Sequence, residues 1–128
     1  MTLQLVDLVN GRKYVLADGV EIKIGRSPSN DIVVPTRSEE GLTEEQKIEG
    51  KILGGYVSAK HATILAHGGT ARLLDLDSTN GTYLISEDGR NKFRTYIENG
   101  LLPGSVIGLG NPQNSKSYNL RLEEVPSQ

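Results

Sequence analysis

Apolar and polar residues trade places every one or two positions along most of this chain, in short runs broken by glycine, proline and asparagine. A period of two marks a strand with one buried face. Thr2 to Val9 reads this way. Asn10-Gly11 after it is a hairpin signal, because both residues tolerate positive φ. Lys13 to Ala17 is the return strand, and Asp18-Gly19 marks the next tight turn. In Val20 to Ile24 the pattern sets Val20, Ile22 and Ile24 on one face and Glu21 and Lys23 on the other. Ile32 to Val34 is a short buried strand. Further strands are expected at His61 to Ala66, Ala71 to Leu76, Thr82 to Ile85, Phe93 to Ile97, Ser105 to Leu109 and Tyr118 to Val125. Turn residues at Gly68-Gly69, Asn80-Gly81, Asp88-Gly89 and Pro103-Gly104 separate them. Short strands at close spacing predict an all-β sandwich or barrel.

Pro35 to Gly55 breaks the rhythm, being polar, acidic and without strand periodicity. Within it Thr43-Glu44-Glu45-Gln46 has the form of a capping box. The Thr43 hydroxyl would accept from the Gln46 amide while the Gln46 side chain reaches back. Glu44 and Glu45 would sit at the positive end of the helix dipole. The pattern predicts one helix of about two turns, stopping at Gly50.

Composition narrows the function. A chain of 128 residues fits one domain and can bury a real core. Fourteen Lys and Arg against 16 Asp and Glu give a formal charge of −2, which disfavours broad electrostatic binding to nucleic acid. The absence of cysteine removes disulfides, thiolate nucleophiles and Cys-type zinc sites. With His61 and His67 as the only histidines, a histidine-rich metal centre is not expected, and no cofactor is predicted. No apolar stretch approaches the ~18 residues of a membrane helix, and the N-terminus lacks a signal-peptide core. A soluble, cytoplasmic protein is the expectation.

Three polar motifs beside strand-like runs carry the candidate chemistry: Gly25-Arg26, Ser58-Ala59-Lys60-His61 and Ser78-Thr79-Asn80-Gly81-Thr82. Arginine's planar fork can hold two phosphate oxygens at once, and Ser58 can donate its hydroxyl to a third. The Asn80 carboxamide offers donor and acceptor together, so it can clamp an extended peptide main chain. Gly25 reads as a backbone requirement, either positive φ or close packing. His61 reads as a buried histidine bonded to nearby backbone. Taken singly, each has a plainer reading as a solvated loop residue or a turn.

In order and context these segments resemble the forkhead-associated (FHA) domain family. Gly25-Arg26-Ser27-Pro28-Ser29-Asn30-Asp31-Ile32-Val33-Val34 is similar to its first signature. Val57-Ser58-Ala59-Lys60-His61-Ala62-Thr63-Ile64 is similar to its Ser-x-x-His motif, and Leu74 to Tyr83 to its third. Leu102-Pro103-Gly104-Ser105-Val106-Ile107-Gly108-Leu109-Gly110 resembles the turn and strand that follow. The resemblance spans about residues 3–124 of a single domain, 1–128, with 35–55 as an insertion. It implies an FHA/SMAD-like two-sheet β-sandwich of about eleven short strands that recognises phosphothreonine in an extended peptide of a signalling partner. By that similarity Arg26 and Ser58 bind the phosphate, Thr79 assists, Asn80 holds the peptide main chain, and Gly25, His61 and Gly81 support the loops. Two departures stand out. Ala59 occupies a position where the family often has Arg or Lys, which leaves Lys60 as an additional candidate. The loop before Ser58 is longer than usual by about 15 residues, and such loops tend to be functional or disordered.

Two other function classes are open. The same loops or the 35–55 insert could serve phosphate-independent protein interaction or self-assembly, a reading that Ala59 favours. Ser58, His61 and Asp75 can also be written as a Ser-His-Asp hydrolase, although no nucleophile-elbow pattern surrounds Ser58. The expectation is a binding module and not an enzyme.

Overall fold

The alternating runs become eleven strands in two sheets in a computed structural model, which describes residues 1–86, 88, 91–95, 99–110 and 116–126. In chain order the elements are β1 (Leu3–Asp7), β2 (Lys13–Leu16), β3 (Glu21–Gly25), β4 (Ile32–Val33), α1 (Glu44–Gly54), β5 (Ala62–His67), β6 (Thr70–Asp75), β7 (Thr82–Ile85), β8 (Lys92–Thr95), β9 (Asn99–Leu101), β10 (Val106–Leu109) and β11 (Tyr118–Glu124). One sheet runs β2-β1-β11-β10-β7-β8 and the other β4-β3-β5-β6-β9. All pairings are antiparallel except β3 with β4, where Ile24 faces Ile32 and Gly25 faces Val33. This is the all-β sandwich expected.

The core between the sheets is aliphatic. Leu5, Ile107, Leu120 and Leu122 come from one sheet, and Ile24, Ile64 and Leu73 from the other; all are inaccessible to solvent. With no tryptophan and one phenylalanine, the largest fully buried side chain among the described residues is Tyr118. Its hydroxyl donates to Asp7 Oδ2 at 2.5 Å. Asp7 Oδ1 in turn accepts from the amides of Val9 and Asn10, which fixes the turn before Gly11.

Several boundaries differ from the sequence expectation. β3 begins at Glu21, because Val20 closes a turn onto the Ala17 carbonyl and stays 47 % exposed. β1 is buried on both faces, so its residues do not alternate between core and water. Phe93 lies on β8 but faces solvent at 63 % exposure; Tyr96 and Ile97, the end of that expected strand, lie outside the described residues. β9 contains Asn99-Gly100, which reads locally as a turn. Pairing with β6 makes it a strand.

The insert holds the helix, with both halves of the capping box formed: Gln46 N to Thr43 Oγ1 at 3.1 Å and Thr43 N to Gln46 Oε1 at 2.9 Å. It is longer than predicted, at 11 residues, and passes through Gly50. Gly50 and Gly54, one turn apart, form the face that meets Pro35, and a methyl group at Gly54 would stand 2.7 Å from Pro35 Cγ. Gly54 is therefore the packing glycine, whereas a Cβ at Gly50 would meet Pro35 at an ordinary 3.7 Å. Leu53 anchors the same face in the core, whereas Ile48 and Ile52 point outward.

Candidate functional site

The three polar motifs lie on the loops after β3, before β5 and between β6 and β7, and backbone hydrogen bonds tie them together. Arg26 N donates to Ser58 O at 3.0 Å, and Ser27 N to Ala59 O at 3.1 Å. Gly25 permits this approach, since a Cβ there would overlap the Ala59 carbonyl oxygen and stand 2.8 Å from Asn30 Nδ2. Close packing, and not positive φ, is the reason for this glycine. Asn30 completes the joint. Its buried carboxamide donates to Ser27 O at 2.8 Å and to Ala59 O at 2.6 Å. Sequence reasoning assigned Asn30 no role; its place in a Ser-Pro-Ser-Asn-Asp turn was the only signal.

His61 joins the second loop to the third. Its Nδ1 accepts from Ser58 N at 3.0 Å, and its Nε2 lies 2.8 Å from Gly81 O. A backbone amide can only donate and a carbonyl can only accept, so the ring is neutral with its proton on Nε2. Burial pushes the pKa of His61 below its ordinary value, against the smaller opposing effects of Gly81 and Asp75. The His61 amide donates to Ile24 O, and its carbonyl accepts from Leu76 N.

A carboxylate shapes the third loop. Asp75 Oδ1 accepts from Ser78 Oγ at 2.5 Å and Thr82 Oγ1 at 2.6 Å, and Oδ2 accepts from Ser78 N at 3.2 Å. Ser78 Oγ also accepts from Gly81 N at 3.1 Å, setting Gly81 at φ +89°. This positive φ is what the Asn-Gly pair provides.

On this frame Ser58 Oγ accepts from Thr79 N at 3.0 Å, which leaves its hydroxyl proton for another acceptor. Asn80 Nδ2 donates to Tyr56 O at 3.2 Å, so the carboxamide oxygen is directed away from that contact. Arg26, Thr79 and Lys60 are exposed. No hydrogen bond or ion pair engages the side chain of Arg26 or Lys60 among the described residues. Arg26, Ser58, Lys60, Thr79 and Asn80 thus all sit on mutually bonded loops, and the side chains of Arg26 and Lys60 are held by no described hydrogen bond or ion pair. The hydrolase triad is not assembled: both His61 nitrogens are engaged by backbone, and Asp75 is engaged by Ser78 and Thr82.

The sequence model of the FHA domain matches residues 22–110, the stretch that carries all three loops. This chain belongs to the FHA domain family. No curated protein sequence matches significantly. Solved FHA domains share the fold along nearly the whole chain. The FHA domain of the CT664 protein from Chlamydia trachomatis superposes with a TM-score of 0.68 at 20 % identity, covering 98 % of this chain and 100 % of that one. A domain studied for phosphothreonine-dependent FHA interactions gives 0.66 at 26 %, covering 99 % and 100 %. The FhaA FHA domain complexed with the intracellular domain of Rv3910 gives 0.59 at 29 %, covering 95 % and 98 %.

Proposed function

We propose that this FHA domain recognises phosphothreonine in an extended peptide segment of a partner protein. Arg26 and Ser58 take the phosphate, Thr79 adds its hydroxyl, and Asn80 holds the peptide main chain. The observation that carries the reading is the bond from Thr79 N to Ser58 Oγ. It orients a hydroxyl whose proton is unspent among the described residues, on a loop bonded to the one that carries the Arg26 guanidinium, which likewise has no partner among them. Two similar domains, one with phosphothreonine-dependent interactions and one bound to another protein's intracellular domain, support the same role. A phosphothreonine carries roughly −1.5 to −2 charges and three strong acceptors, which one arginine, hydroxyls and loop amides can satisfy on a protein of net charge −2.

Fluorescence polarisation with matched phosphorylated and unphosphorylated peptides from a degenerate phosphothreonine library tests this. Arg26→Ala and Ser58→Ala should each weaken binding by about 1.5–3 kcal/mol, the range for hydrogen bonds to charged groups. Equal binding of both peptide forms sinks the reading.

A second reading is favoured by Ile48 and Ile52, 57 % and 62 % exposed one turn apart on α1: phosphate-independent partner binding through the insert. Partner capture that survives Arg26→Ala but is lost with Ile48→Ser and Ile52→Ser would establish it instead.

A further inference from the structure

Sheet order leaves β2 at the free edge of one sheet and β4 at the free edge of the other. Between them lies an open cleft of about 530 Å³, lined by Tyr14 of β2, Val33 of β4, the loop after β3 and the start of the insert. Its charged lining is Arg12, Lys13 and Arg37 against the single carboxylate of Asp31. The chain as a whole is net acidic, so this concentration of cations is local.

Arg12 is already ordered. Its guanidinium donates to Thr36 Oγ1 and, at 3.0 Å, to Glu40 O, which binds the β1–β2 hairpin to the insert. Asp31 Oδ2 accepts from the Lys23 amide at 2.8 Å, and among the described residues no ion pair joins its carboxylate to Lys13 or Arg37, so the cleft keeps three cations against one carboxylate. Lys13 and Arg37 are exposed, and neither forms an ion pair or side-chain hydrogen bond among the described residues. One fixed guanidinium and two cations without a described partner line an open cleft between two edge strands.

We propose that this cleft is a second binding site, for a peptide segment bearing carboxylate side chains. Lys13 and Arg37 supply the attraction, Arg12 fixes the position, and the strand edges offer main-chain hydrogen bonds to an extended segment. Pro28 and Asp31 of the cleft belong to the same loop as Arg26, so the two sites flank opposite ends of one loop. A partner carrying a phosphothreonine and an acidic stretch could engage both, with the avidity of linked contacts. A peptide fits better than nucleic acid, because the acidic remainder of the surface would repel a long polyanion.

The test is a two-dimensional amide NMR titration of the full chain with hexaglutamate, with hexaglutamate in which one residue is phosphoserine, and with a phosphothreonine peptide of neutral flanks. Acidic peptides should shift Lys13, Tyr14, Thr36 and Arg37. Lys13→Glu with Arg37→Glu should weaken them by at least about five-fold, the scale of two exposed ion pairs lost, and Lys13→Gln with Arg37→Gln by less. Arg26→Ala should leave hexaglutamate unaffected while removing the phosphothreonine peptide. A hexaglutamate response centred on Arg26 and Ser58, or none at all, overturns the proposal, as does tighter binding of a single-stranded oligonucleotide to the same residues. Failure of the neutral phosphothreonine peptide to bind wild type counts against the proposed function instead and leaves the cleft standing.

Discussion

His61 Nδ1 accepts the backbone amide proton of Ser58 across 3.0 Å, so a buried ring holds the residue assigned to phosphate recognition. That bond exists only with neutral histidine, since a protonated Nδ1 would face the amide proton with another proton.

A pH dependence follows. The folded pKa of His61 lies below 6.5, its unfolded value, so between the two the unfolded chain binds more protons than the folded one. The contribution of His61 is complete above about pH 6.5 and is lost as pH falls towards the folded pKa. Urea midpoints should be level from neutral to mildly alkaline pH and decline as the solution is acidified below about 6.5. His61→Gln should flatten that decline while lowering stability throughout.

Gly25→Ala should be the most damaging single methyl addition in these loops. The added carbon meets backbone, which cannot swing aside as a flexible side chain could. A stability loss of about 1–3 kcal/mol should accompany weakened phosphothreonine-peptide binding, read by thermal denaturation and polarisation. Gly11→Ala meets no atom within 4 Å and is strained only by its positive φ. It should destabilise without touching affinity.

Asn30 separates shape from hydrogen bonding. Asn30→Asp keeps the outline but sets carboxylate oxygens against two carbonyls, Ser27 O and Ala59 O. It should cost more than Asn30→Ala, which removes two side-chain hydrogen bonds at about 0.5–1.5 kcal/mol each while Ser27 O and Ala59 O keep the backbone amides of Asn30 and Ser27. Equal losses in chemical denaturation would contradict the donor role given to Nδ2.

Thr43→Ala removes a cap whose two hydrogen bonds are both formed. About 1 kcal/mol of stability should go, with phosphothreonine-peptide affinity unchanged. A parallel fall in affinity would place the insert within the phosphopeptide site.

The capping box at Thr43 was legible because it is local: four consecutive residues contain both donors and both acceptors. Period-two runs gave most of the strands for the same reason. Gly50 was misread as a helix stop because the helix runs on to Gly54, whose close packing on Pro35 joins positions nineteen apart in sequence. β9 was missed because Asn99-Gly100 has the composition of a turn and becomes a strand through β6. The functions of Asn30 and Asp75 were hidden too, since their partners belong to other segments or to a loop conformation not encoded by residue type alone.

From the sequence alone come the all-β class, the aliphatic core, the family resemblance and the candidate residues Arg26, Ser58, Thr79 and Asn80. Each of these depends on neighbours along the chain or on motif order. Tertiary structure decided what joins them: the neutral tautomer of His61, the close approach behind Gly25, and the basic cleft between β2 and β4. Those features arise where distant segments meet, because a hydrogen bond or a steric overlap is fixed by distance in space, and separation along the chain does not specify it.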